Sequence, residues 1–150
     1  MTALDLDLQN AAGAPDLPKR REFRRWAKEA LRGRRKRAGL VIRIVDERES
    51  ADLNGRYRGK PRATNVLSFP WEPPIGEESD FLGDLVICDS LVGQEASALG
   101  KEPPAHWAHL VVHGVLHLLG YDHQTERDAV VMEALEAQVL DRLGFPDPYD

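Results

Sequence analysis

His113-Gly114-Val115-Leu116-His117-Leu118-Leu119-Gly120-Tyr121-Asp122-His123 is the stretch on which the reading of this chain turns. Its first two histidines stand four apart in an apolar run. On a helix that spacing puts both rings on one face, with Cβ atoms about 5–6 Å apart. Gly120 comes three residues after His117, where a helix can stop and the chain can turn with positive φ. Such a turn swings His123 back toward the first two rings. Three neutral imidazoles with an open fourth position describe a catalytic zinc site better than a structural one.

The register of three histidines and one turn glycine is that of the metzincin protease motif, H-E-x-x-H-x-x-G-x-x-H. The difference lies at Gly114, where the proteases carry the glutamate that acts as general base. Water on zinc can already have a pKa near about 7, so hydrolysis stays open. Peptide cleavage also needs a proton delivered to a poor amine leaving group. A phosphodiester instead needs its developing charge stabilised, a task that suits arginine. His109 lies one turn before His113 on the same face. A fourth ligand there would close the site, so it is read as a pocket wall or a partner behind the ligands. His106, a further turn back along the helix, is assigned to the surface. Asp122 either orients an imidazole or shapes the turn.

The rest of the chain is that of an ordinary globular domain: 150 residues, 42% hydrophobic and 30% charged, read as one domain over 1–150. No apolar run approaches a membrane span. The first sixteen residues hold three aspartates and no Lys or Arg, unlike a secretory signal. Cys88 is the single cysteine. It excludes an internal disulfide framework, fits a cytoplasmic protein, and in its apolar run reads as a buried thiol. The net charge of −5 is unevenly spread: residues 19–37 hold eleven Lys/Arg against two Glu, while the remainder is net −14. That segment is either a solvated helix face or a directed contact with a polyanion, with Arg24, Arg25 and Lys28 as its candidate contacts.

Hydrophobic periodicity gives the order of elements. Leu4, Leu6 and Leu8 alternate as in a half-buried strand. Phe23, Trp26, Ala27, Ala30 and Leu31 form the apolar stripe of a helix, and the aromatic pair is read as core, not as a base-stacking platform. Leu40–Val45 is a second strand, and Asp46–Leu53 a short helix with Ser50 as a candidate cap. Arg56, Arg58, Lys60 and Arg62 recur at every second position, which in an extended segment points all four cations one way, toward phosphate. Thr64–Phe69 and Gly83–Cys88 are strands separated by a Pro- and Glu-rich loop. A helix capped by Asp89 or Ser90 follows. The histidine helix opens at Pro103 and Pro104. A last helix is capped by Thr125, with an apolar set of Val130, Val131, Ala134, Leu135, Ala137, Val139 and Leu140. Helices collected after a small sheet indicate an α+β fold.

The histidine stretch, together with Leu53-Asn54-Gly55-Arg56-Tyr57-Arg58-Gly59-Lys60, Thr64-Asn65-Val66-Leu67-Ser68-Phe69-Pro70 and Gly83-Asp84-Leu85-Val86-Ile87-Cys88, resembles the signature of the YbeY family of bacterial metal-dependent endoribonucleases. The resemblance runs from about residue 40 to residue 144. It implies a small mixed four-stranded sheet with packed helices, related to the zincin hydrolases. It implies one zinc ion per chain on His113, His117 and His123, and contact of Arg58 with RNA or the scissile phosphate. Implied too are single-strand-specific cleavage, maturation of ribosomal RNA including the small-subunit 3′ end, ribosome quality control, and a ribosomal subunit or assembly factors as partners. The chain departs from the family where Pro61 follows Lys60 and Ala63 stands in a position often held by proline. A metalloprotease-like hydrolase and a non-catalytic, zinc-containing ribosome-assembly factor remain the competing readings. Imidazole sites also accept nickel, copper and iron.

Overall fold

A computed structural model of the chain describes residues 2–150. The elements run β1 (Ala3–Asn10), α1 (Arg20–Leu31), β2 (Arg37–Val45), α2 (Glu47–Arg58), β3 (Val66–Pro70), β4 (Phe81–Cys88), α3 (Asp89–Leu99), α4 (Pro103–Leu118) and α5 (Glu126–Arg142). This is the order expected from the sequence; β1, β2 and β4 begin earlier than expected, whereas β3 starts at Val66, not Thr64, and runs on through Pro70. The fold is α+β, with a four-stranded mixed sheet in the order β1-β2-β4-β3. β1, β2 and β4 run parallel, and β3 pairs antiparallel with β4 as an edge strand.

Alternation sorts the strand residues between two faces. Leu4, Leu6, Leu40, Ile42, Ile44, Leu85 and Ile87 join the main core, with residues of α1, α4 and α5. Val45, Leu67, Val86 and Cys88 form a smaller cluster on the other face, with Leu53 of α2 beside it. Ten of the sixteen residues of α4 are buried, so that helix is apolar on nearly every side and lies at the centre of the molecule. Phe23 of α1 meets Trp107 of α4 edge to face at 5.6 Å, a geometry that aromatic quadrupoles favour. The aromatic stripe of α1 is therefore core, and Cys88 is fully buried as expected.

Two glycines permit the tight packing. A Cβ on Gly114 would stand 2.6 Å from Leu85 Cδ2, so its absence lets α4 lie directly on β4. Gly83 has φ +143° and carries its Cα where a Cβ would collide with the Phe69 carbonyl oxygen of β3.

Several local expectations are corrected. Ser50 does not cap α2. Asp46 does, accepting from Glu49 N at 2.8 Å. Ser50 is instead buried in mid-helix, where its Oγ accepts from Thr64 N and donates to Thr64 O. Cys88, not Asp89 or Ser90, occupies the cap position of α3. Thr125 caps α5 as expected, but the helix is rotated from the expected phase. Val130 and Val131 are exposed, while Met132, Glu136, Val139 and Leu140 are buried. The four-cation strip is not extended: Arg56 and Arg58 belong to the last turn of α2, and Gly59, in the left-handed conformation, ends the helix before Lys60 and Arg62.

The glycines separate in their effect on stability. Gly83→Ala is expected to cost about 2–4 kcal/mol through strain and collision. Gly93→Ala, on the open surface of α3 with nothing within 4 Å, should add about 0.5–1 kcal/mol. Urea unfolding midpoints at equal metal content measure both.

Candidate metal centre

α4 supplies the first two donors from a single face. His113 and His117 have ring centroids 5.0 Å apart. The helix then closes as the sequence anticipates: Gly120 takes φ +105°, and Tyr121 N bonds back to Leu116 O at 3.1 Å. Asp122 Oδ1 accepts from His123 N at 2.7 Å and fixes the turn. The His123 ring then lies 5.0 Å from His117 and 5.3 Å from His113. One nitrogen from each of the three rings falls within a span of 4.8 Å.

These residues fit a tetrahedral cation. His117 Nε2 and His123 Nδ1 are 3.2 Å apart, close to the roughly 3.3 Å that separates two nitrogens each about 2.0–2.1 Å from zinc. Burial, followed by the neighbouring His113 and His123, lowers the His117 pKa. The ring is thus held in the neutral form that a metal requires.

Behind the triad lies a residue the sequence reading missed. Glu136 of α5 is fully buried. Its Oε1 is 2.7 Å from His109 Nε2, 3.3 Å from His113 Nδ1 and 2.9 Å from the Tyr149 hydroxyl. Burial pushes the Glu136 carboxyl up, but hydrogen bonds from His109 and His113, with their charge, outweigh it and bring the pKa down to about 2. Burial and then the Glu136 charge push the Tyr149 phenol up, keeping it a proton donor. An ionised carboxylate only accepts, so His113 donates through Nδ1 and presents the Nε2 lone pair to the site. His109, His113 and Glu136 also bring donors within 4.8 Å of one another, but their close contact is already made as a hydrogen bond. The signal for Glu136 was a charge at helical spacing among Met132, Val139 and Leu140, hidden when the apolar face was phased on Val130 and Val131.

His106 is buried, not at the surface, and its Nε2 sits 2.8 Å from Glu95 Oε1. Glu95 in turn accepts from Asn65 Nδ2 at 3.0 Å. This link runs from α4 through α3 to the segment before β3.

The triad opens on a cleft of about 580 Å3, lined also by Asp122, Arg58, Tyr57 and residues of β3. Arg58 reaches it from the exposed end of α2. Asn54 Nδ2 donates to Arg62 O at 2.9 Å, and with Ser50 it fastens the loop that carries the chain from Arg58 to β3. Arg56 pairs with Asp52 along the helix at 3.3 Å. Lys60 and Arg62 are exposed and outside the cleft lining. Arg24 donates to Leu4 O of edge strand β1 at 2.6 Å, and Arg25 to Leu143 O at the end of α5 at 3.2 Å. Both guanidinium groups thus satisfy backbone carbonyls, and neither they nor Lys28 line the cleft.

The family described as Endoribonuclease YbeY matches residues 8–144. Among solved structures, the solution structure of TM1509 from Thermotoga maritima superposes with a TM-score of 0.59 at 21% identity, covering 93% of this chain and 91% of that one. This likeness bears on the fold alone.

Removing the buried carboxylate tests its hold on the triad. Glu136→Ala is expected to weaken zinc binding about 10–100-fold in competition with a chromophoric chelator. Arg56→Ala, at the far side of α2, should leave the affinity unchanged.

Proposed function

The chain belongs to the YbeY family of endoribonucleases, and from that premise we propose that it is a zinc-dependent, single-strand-specific ribonuclease of ribosomal RNA maturation. The observation that carries the reading is one cleft lined by both the three histidines and Arg58. The site thus combines a cation-binding half and an anion-binding half.

His113, His117 and His123 would hold the zinc ion, which when bound would supply Lewis acidity and activate water for hydrolysis. The chain's own residues do the remainder. Glu136 holds His113 in the tautomer that directs Nε2 into the cleft. Asp122 and the Gly120 turn bring His123 to its neighbours. Arg58 presents its guanidinium from an exposed helix end. It binds the phosphodiester and offsets charge that grows on its non-bridging oxygens. Its position at the C-terminus of α2 ends that helix with a cation, which is also favourable locally.

The relation to zincin proteases is restricted to the ligand arrangement. The position of the protease's catalytic glutamate is Gly114, which is packed against the Leu85 side chain in the core, so a larger residue there would first have to move Leu85. This supports phosphodiester over peptide chemistry. Ribosomal RNA is the proposed substrate, including the 3′ end of the small-subunit RNA, with a role in ribosome quality control. A ribosomal subunit or its assembly factors are the proposed partners, and the cytoplasm the proposed compartment. No described helix is long and apolar enough to cross a membrane.

Purified protein should contain about one zinc per chain and cut an unpaired RNA while sparing the same sequence in a duplex. Elemental analysis and gel-resolved cleavage of the two RNAs read this out. Hydrolysis of a peptide library with no cut in RNA would favour the protease-like reading. Unfolding on chelation, with RNA binding but no cleavage by the zinc-loaded protein, would favour the assembly-factor reading.

A further inference from the structure

The cleft does not end at Phe69. Tyr57 and Phe69 line the metal cleft and also a second groove of about 360 Å3, which continues past them to Trp71, Asp84 and Arg43. Its rings are poorly covered for their size: Tyr57 is 65% and Trp71 43% exposed. Tyr57 meets Phe69 edge to face at 5.2 Å, and Trp71 meets Phe81 at 5.7 Å. Both exposed rings are thus braced from behind. Bracing lowers the entropy lost when a planar ligand stacks on them.

The charges of the groove select among ligands. Arg43 is already engaged, with two bonds of 2.6 and 3.1 Å to Glu49. Asp84, opposite Phe69 in the β3–β4 register, is left as an acceptor facing the groove. Among the described lining residues there is no unpaired cation. A phosphate group is disfavoured there, whereas a nucleobase finds aromatic faces and an acceptor for its amino or imino hydrogens. Phosphates belong instead with Arg58, next in sequence to Tyr57.

We propose that this groove is a nucleobase subsite, in which bases flanking the scissile linkage of a single-stranded RNA stack on Tyr57 and Trp71 while Asp84 accepts from their edges. The proposal rests on the ribonuclease reading and explains a preference for unpaired RNA, because bases in a duplex already stack on one another. Sequence tolerance follows from stacking, since every base has a π face.

Tryptophan fluorescence tests it directly. Trp26 and Trp107 are buried, so a quench on ligand addition reports Trp71. The probe is an RNA of about eight nucleotides, mixed with the zinc-loaded protein in stopped flow and read ahead of cleavage. An abasic strand of the same length and charge is the control. RNA should quench, and the abasic strand should bind at least about tenfold more weakly. Tyr57→Ala and Tyr57→Leu should each weaken RNA binding about tenfold. Tyr57→Phe, which keeps the ring, should bind as the parent does. Equal affinity for the abasic strand, or a quench by an apolar peptide and not by RNA, would overturn the proposal. RNA cleavage without any Trp71 quench would overturn the subsite and leave the ribonuclease reading standing. Neither cleavage nor quenching of any RNA would overturn both.

Discussion

The seating of α4 on β4 is the constraint from which the remaining structure follows. A helix buried on nearly all sides can expose functional groups only along one narrow stripe. Gly114 sets how closely that helix approaches Leu85, and of the His109–His113–His117 stripe the last two then line the cleft while His109 turns to Glu136 behind them. The four-residue spacing makes two metal donors neighbours, but the packing decides where they point. The same glycine accounts for the absent protease base: a residue that brings helix and sheet together has no side chain to offer the cleft.

Two polar systems hold this stripe in register from behind. Glu136 gathers His109, His113 and Tyr149 around one oxygen, linking α4, α5 and the C-terminal segment. Glu95 gathers His106 and Asn65, linking α4, α3 and the approach to β3. The buried carboxylate of Glu136 is costly unless its donors are in place, whereas Glu95 is part-exposed. Both networks therefore tie rigid elements together and leave the cleft-facing nitrogens free. Arg58 is held differently, by a helix end and a loop fastened through Ser50 and Asn54. The three histidines thus sit on and beside a packed helix, whereas Arg58 is exposed at a helix end.

Most of the fold was legible because its signals are local. Period-2 runs at Leu4–Leu8 and Leu40–Val45 and the helical stripe at Phe23–Leu31 all mark their elements. So does the turn at Gly120, and the three-histidine register reads directly as a shared site. The cation strip and the caps of α2 and α3 were local misreadings, while the other failures depend on contacts distant in sequence. The alternating cations at 56–62 looked extended, but α2 continues through Arg58 until Gly59 releases it. Glu136 is visible only when the buried face of α5 is known, and that face is set by its docking on α4. His106 was assigned to water because nothing nearby in the sequence announces Glu95 as its partner. The basic face of α1 had two readings, and Arg24 and Arg25 reach backbone carbonyls on β1 and beyond α5 that periodicity does not reveal.

In the proposed site, one cleft joins three histidines of α4 and its following turn to Arg58 of α2. Comparing Arg58→Ala with His117→Ala, with zinc content and RNA cleavage measured on the same preparations, tests it most directly. Arg58→Ala is expected to keep its zinc and lose about 10²–10³-fold in cleavage rate, while His117→Ala is expected to lose both. Full cleavage by zinc-free His117→Ala protein, or undiminished cleavage by Arg58→Ala, would contradict it.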